Sequence, residues 1–515
     1  RVSRPPPRSQ WVRVNSTASL GVGPAIPLLS RVSASDSERL THKAQVIIVV
    51  TIIERMTFHD REEELAALDR AFHSSRQEFF VVYGRRRIGK TELLTEFCSD
   101  KPHVYFLAAQ EAETRQREKF VERIADFFDD RVPRVDSWED AFGYLAEKLN
   151  SERCVVVLDE FPYLVDENES ILSYLQSLVD DQLTETESML VVCGSSVSTM
   201  ESDVLGHESP LYGRRTGQID LQPFSFRQAR SLVAYELEDA IRSFAVTGGT
   251  PMYLTRFDYD QPLGENVQSQ ILSPTAILYN EPAFLLRTEL RNPARYMSIL
   301  EAIATGHTTP NEIAGATGVD AGPLSKYLQT LRRLRLVERE VPVTASPKQS
   351  KRSRYTVDDE FLRFWFRFVE PNRSSIEEAP ELVYEQRIEP SLPDHVAPTF
   401  EDVCRETIWE AIQRGELDPY ADVGRWWYGE DEIDIVALAP DADRILFAEC
   451  KWTTSPVGHG LVSQLRETAD RVRWGPDSRT ETFALFSKSG FVDGLEAELD
   501  DRWSLFDLDR METVL

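Results

Sequence analysis

Apolar residues along this chain fall into two kinds of run. Short unbroken blocks, FFVVY at 79–83, VYFL at 104–107, CVVVL at 154–158 and MLVVC at 189–193, read as strands apolar on both faces. Such strands belong to a parallel sheet with helices on either side. Between the blocks the spacing turns helical. In the stretch from Thr57, Leu65, Leu68 and Phe72 recur at i, i+3 and i+7, and the segments 111–130 and 138–149 also predict helices. Strand and helix alternate, which predicts an α/β domain over 56–225 with a helical region after it at 226–292.

Downstream the pattern changes. Helical spacing at 295–304 and 309–316 is followed by a helix opening at Gly322-Pro323 that carries Leu324, Tyr327, Leu328 and Leu331. Strands predicted at 336–343 and 355–357 complete a winged helix over 293–357. The loop between them carries Lys348, Lys351, Arg352 and Arg354 and no acid. A basic wing suits phosphate contacts, and a winged helix can also be a rigid connector; both readings stand. FLRFWFRFV at 361–369 has the apolar density of a buried helix, not of an exposed stacking platform, and 371–380 reads as a linker after it. The last domain, 381–515, opens a helix at Phe400-Glu401 with Val403, Ile408, Ala411 and Ile412, then gives strands at 432–438 and 445–452.

Composition sharpens this outline. A chain of 515 residues is long enough for three or four domains. Its net charge of −28 opposes a nucleic-acid substrate. One origin for such charge is a highly saline cytoplasm, where screening lengths fall to a few Å; the other is an acidic protein with locally basic sites. Residues 1–55 differ, with eight basic and three acidic side chains and no sustained period. They read as a flexible basic arm or as a region ahead of a true start at Met56, and the second is favoured because organised spacing begins there. The five scattered cysteines predict reduced thiols in the cytoplasm, not a disulfide framework or zinc site. The longest apolar run, 46–53, is far short of the ~18 residues that a membrane span requires.

Chemistry concentrates where the first strand meets its helix. Gly84, Arg85, Arg86, Arg87, Ile88, Gly89, Lys90 and Thr91 spell G-x-x-x-x-G-K-T between strand and helix. Backbone N–H groups of such a loop wrap a phosphate at a helix N-terminus. Lys90 then reaches the β/γ-phosphates of ATP and the Thr91 hydroxyl ligates Mg²⁺. The strand at 154–158 ends in Asp159, placed to hold Mg²⁺ through water, and Glu160, placed to orient and deprotonate the attacking water. The strand at 189–193 runs into Gly194, Ser195 and Ser196; in ATPases with such a phosphate loop a polar side chain at this strand end senses the γ-phosphate, a role that Ser195 or Ser196 fits. In PLYGRRTG, Arg214 and Arg215 are candidate arginine fingers acting in cis or on a neighbouring subunit, the latter making a homo-oligomer the working assembly.

Taken together, GRRRIGKT, VVVLDEF, CGSS, PLYGRRTG and GGTPMYL at 248–254 resemble the archaeal family of AAA-related ATPases, close to the signal-transducing NTPases with many domains, over 56–290. The resemblance implies a P-loop ATPase core, and a helical lid in which Gly249 and Pro251 report nucleotide state downstream. The second chemical signal lies in the last domain. In ILFAECKW, strand alternation puts Glu449 and Lys451 on one side and Cys450 on the other, with Asp434 on the preceding strand. Asp434, Glu449 and Lys451, with Glu401 on the helix before them, resemble the PD-(D/E)xK nuclease superfamily, Ile433 replacing its usual proline. That resemblance implies Mg²⁺ held by Asp434 and Glu449 with Glu401 completing the site, Lys451 positioning a water, and DNA as partner and substrate; Gln464 is a weaker candidate. An ATP-gated switch acting on DNA follows, or an ATPase regulator that binds DNA without cutting it.

Overall fold

The computed structural model describes residues 58–150, 153–290, 292–348, 350 and 352–515. The 1–55 extension, the Met56 start and Lys351 lie outside them.

The five strands of the first sheet are β1 (Glu78–Tyr83), β2 (His103–Leu107), β3 (Val155–Asp159), β4 (Met189–Gly194) and β5 (Gly217–Asp220), in the order β2-β3-β4-β1-β5 and parallel throughout. Every position of β1, β3 and β4 is buried, as their unbroken apolar runs require. Helices α1 (Glu62–Phe72), α2 (Lys90–Cys98), α3 (Glu113–Phe127) and α4 (Trp138–Leu149) cover the sheet. Because β1, β4 and β3 are neighbours and run parallel, the phosphate loop, Ser195 and the Asp159-Glu160 pair all emerge at one edge, at the ends of three adjacent strands. Parallel α/β sheets bind ligands at this carboxyl-terminal edge.

A helical layer follows, containing α5 (Leu237–Thr247) and α6 (Ile277–Glu289). Next come three helices, α7 (Pro293–Ala304), α8 (Pro310–Thr317) and α9 (Ala321–Arg333), and an antiparallel hairpin of β6 (Val337–Glu340) with β7 (Arg354–Val357). The β6 ladder stops before Pro342, which has no N–H to offer, so the strand is shorter than the sequence implies. The helix α10 (Glu360–Phe364) carries on through Trp365–Val369 with Phe361, Phe364, Trp365 and Phe366 fully buried, so the aromatic run is core.

The expected linker at 371–380 is a correction: helices Arg373–Glu378 and Pro380–Val383 occupy it, with Pro380 in the first turn of its own helix. Proline is tolerated there because that N–H has no helical partner. The 22-residue α11 (Leu392–Gln413) begins two turns ahead of the expected opening. It packs on α5, β9 and β10. The second sheet comprises β8 (Asp422–Tyr428), β9 (Asp431–Leu438), β10 (Arg444–Lys451), β11 (Thr480–Ser487) and β12 (Trp503–Asp507) in the order β12-β11-β10-β9-β8. Strands β8 to β10 form an antiparallel meander, and β10 to β12 run parallel. Helix α12 (His459–Ala469) crosses from β10 to β11, and α13 (Leu508–Val514) closes the described chain. Among the described residues no helix is long and apolar enough to cross a membrane. The five cysteines are buried and unbridged.

Candidate functional site

The phosphate loop is shaped by backbone that side chains resist. Gly84 (φ 151°) and Gly89 (φ 92°) lie outside the usual region, and a Cβ on Gly84 would stand 2.4 Å from the Leu221 carbonyl oxygen. Ile88 is buried beneath the loop and anchors it to the core. Lys90, only 6% exposed, donates to the Gly84 and Arg85 carbonyls at 3.0 and 2.7 Å, so its ammonium rests inside the loop. Burial lowers its pKa, against the pull of nearby groups that include Glu160 and Asp159.

The acidic edge is a connected network. The Asp159 Oδ2 accepts from the Thr91 hydroxyl at 2.9 Å and from the Tyr105 hydroxyl at 2.7 Å, while Oδ1 accepts from the Glu160 N–H at 2.9 Å. Burial, then the Asp159 charge, raises the Tyr105 phenol. Glu160 takes a left-handed backbone (φ 52°) and turns its carboxylate to Ser195, whose hydroxyl lies 2.7 and 2.9 Å from the two oxygens. Ser196 instead caps the short helix at Val197–Thr199, so the two serine candidates have separate tasks.

Three consecutive loop arginines leave in three directions. Arg85 pairs with Asp359 at 2.6 Å, Arg86 donates to the Tyr163 hydroxyl at 2.9 Å, and Arg87 pairs with Glu281 of α6 at 2.9 Å. Arg214 pairs with Asp180 at 2.8 Å, whereas Arg215 is exposed. Gly249 is required by a close approach: a Cβ there would stand 1.8 Å from the Phe224 oxygen. Tyr105, Tyr163, Glu281 and Asp359 are site neighbours that the sequence did not mark. For Tyr105 a signal existed, because apolar Val104 and Phe106 stand on either side of it and strand alternation turns its polar tip the other way.

In the second sheet, Asp434 and Glu449 lie one step beyond the last ladder pair, Ile435 with Ala448. Lys451 Nζ stands 2.6 Å from Glu449 and 3.4 Å from Asp434, and Asp434 also accepts from the Cys450 N–H at 2.9 Å. Burial, then the Asp434 charge, pushes Glu449 up to about 7. For Lys451, burial works against the charge and is outweighed by Asp434 and Glu449, so its pKa rises. Glu401 on α11 is pushed up to about 8 by burial and bonds to Arg425 of β8. Asp434, Glu449 and Lys451 are thus brought together, while Glu401 faces Arg425. Among the described residues no group of three or more His, Cys, Asp or Glu is arranged to hold a metal ion. Gln464 is exposed on α12.

The basic loop between β6 and β7 is docked onto this sheet. Arg352 lies over the Tyr428 ring and donates to the Trp427 carbonyl, and Arg354 lies over Trp427 and pairs with Glu432 at 2.9 Å. The Val343 N–H adds a bond to the Arg425 carbonyl. Two of the cations expected to reach phosphates are therefore engaged within the chain; Lys348 is exposed.

Comparison with known proteins adds kinship. Residues 58–257 match a family described as an ATPase domain predominantly from Archaea, and 365–464 match one of archaeal and bacterial proteins of unknown function. An uncharacterized protein of Methanocaldococcus jannaschii is 34% identical over 398 residues, 77% of this chain and 87% of that protein. An uncharacterized ATP-binding protein of the same organism is 41% identical over 44 residues, 8% of this chain and 75% of that protein. Among solved structures, the Walker-type ATPase of Pyrococcus abyssi aligns at 19% identity over 61% of this chain and 97% of its own, with a TM-score of 0.44. The Aeropyrum pernix ORC2 protein aligns at 14% over 63% and 95%, with a TM-score of 0.37.

Proposed function

This chain belongs to the family whose ATPase domain is found predominantly in archaea, and we propose that it is an ATP-hydrolysing switch whose nucleotide state governs the C-terminal domain. The observation that carries this reading is one sheet edge where Lys90, the Thr91-Asp159 pair and the Ser195-Glu160 pair converge. Lys90 leaves the Gly84 and Arg85 carbonyls for the phosphates, an exchange of neutral acceptors for anionic ones. Thr91 and Asp159 are the residues that would hold Mg²⁺, which when bound neutralises phosphate charge. Glu160, held by Ser195, orients the attacking water.

For the C-terminal half we propose Mg²⁺-dependent DNA cleavage in a restriction-endonuclease-like site, with Asp434 and Glu449 as the residues that would hold the ion. Lys451, between them, balances charge on the scissile phosphate. The second reading, a regulator that binds DNA through its winged helix without cutting, is favoured by the Arg425 hold on Glu401, which withdraws the third acid. It also requires the docked wing to release Arg352 and Arg354.

The test is incubation of the protein with Mg²⁺ and plasmid or single-stranded DNA, with and without ATP. Cleavage that needs ATP and disappears in Lys451→Ala and Asp434→Ala supports the nuclease; cleavage unchanged in both variants removes the proposed site. ATP turnover without cutting favours the regulator. Normal ATP binding and hydrolysis by Lys90→Ala would sink the shared first step.

A further inference from the structure

Resting on the ATPase reading and going beyond it, we infer that Asp359, at the start of α10 and 274 residues from its partner, is a positioning residue for ATP hydrolysis. The C-terminal half thereby lends a side chain to the phosphate loop. Its two oxygens have separate duties. The Oδ1 accepts from the Leu362 N–H at 2.8 Å and caps α10, and the Oδ2 accepts from Arg85 at 2.6 Å. Both side chains are enclosed, Arg85 at 8% and Asp359 at 6% exposure, so the pair is little screened by solvent.

Arg85 contributes more than a counter-charge. Its own carbonyl is where Lys90 rests, at 2.7 Å, so the Arg85 peptide must give up the lysine when phosphate enters. Asp359 fixes the other end of that residue and so sets where the Lys90 acceptor stands. The backbone that follows Asp359 is closely packed: a Cβ on Gly248 would stand 3.5 Å from the Phe361 nitrogen and 3.6 Å from that of Glu360, and the Phe361 ring packs on Tyr253 with centroids 4.6 Å apart. The helical region before α10 thus packs on the two residues that follow Asp359, while the first turn of α10 and Arg85 of the loop hold its carboxylate. Arg86 and Arg87 reach only elements of the nucleotide domain and its lid, so of the three arginines only Arg85 ties the loop to α10.

Asp359→Asn is the informative change, because the asparagine oxygen still caps α10 while the oxygen that accepts from Arg85 becomes an uncharged NH2 donor of similar size. It leaves Arg85 charged and buried, so a second variant, Arg85→Gln/Asp359→Asn, removes both charges and keeps the fold testable. Steady-state ATPase kinetics, with constants per site counted by binding of a fluorescent ATP analogue, give the readout. KM for ATP should rise about tenfold in Asp359→Asn, and the double variant should be no worse than Arg85→Gln alone, as for two groups acting through one contact. A merely structural role would lower the melting temperature and leave the constants per site unmoved. Asp359→Asn with wild-type KM and kcat, or effects that add in the double variant, would overturn the inference while leaving the ATPase reading intact. A wild-type chain that neither binds nor hydrolyses ATP would overturn both.

Discussion

Replacing Ser195 by alanine removes one hydroxyl from a position only 3% exposed, and the structure says what that hydroxyl does. It is within 2.9 Å of both Glu160 oxygens, and the Ser195 N–H, at 3.4 Å, is a much weaker substitute. A hydrogen bond to a carboxylate is worth about 1.5–3 kcal/mol. If all of that is used to orient Glu160 toward water in the transition state, kcat should fall about 10- to 150-fold, one decade per ~1.4 kcal/mol. KM should barely change, because the serine's partner is the glutamate. The assay is continuous phosphate release across a range of ATP concentrations. An unchanged kcat would refute the positioning role. A raised KM at constant kcat would refute it differently, by showing that Ser195 grips nucleotide in ground and transition states alike.

Other outcomes follow from the packing and the buried acids. Gly249→Ala should cost about 3 kcal/mol or more in denaturant unfolding, because its Cβ would stand 1.8 Å from the Phe224 oxygen and the backbone must yield. Trp365→Ala should cost about 3–5 kcal/mol by the same measurement, through an emptied core site and the lost Nε1 donation to the Tyr279 carbonyl. Glu360 lines a cavity of about 580 Å³, and burial pushes it up to about 8, with Arg363 opposing and Asp359 and Asp402 adding to the rise. Its pKa is higher folded than unfolded, so its contribution to stability is complete below the ordinary 4.5 and is lost as pH climbs through about 8. Melting temperature should therefore fall across that window, and Glu360→Gln should flatten the fall; an equal slope in the variant would contradict the assignment.

What the sequence disclosed, and what it hid, follows from the range of the forces involved. The strands β1, β3 and β4 are unbroken apolar blocks, and the phosphate loop is a local motif between a strand and a helix, so both were legible. The edge strand β5 is four residues, GQID, with one buried position, too short for any period to appear. In β8, RWWY sits among polar neighbours, and its strand character comes from pairing with β9. The prolines at 371 and 380 read as breakers because the residue that ends one helix is also favoured in the first turn of the next. Asp359 was invisible for another reason: a helix cap can be read from local sequence, whereas its second role lies in a contact with Arg85, 274 residues away. Likewise, composition marked the loop between β6 and β7 as basic and had no means of saying that Tyr428, Trp427 and Glu432 would claim its arginines.

The helix α11 limits how this protein can change over generations. It buries His395, Val396, Phe400, Val403 and Cys404 among others, and its neighbours include both α5 of the nucleotide half and β10 of the second sheet. A recombination event that exchanged the second sheet alone would leave one flank of that helix without its partner, and one that took the helix along would strip α5. The two halves are therefore expected to travel through genomes as a pair, not to be traded as separate modules.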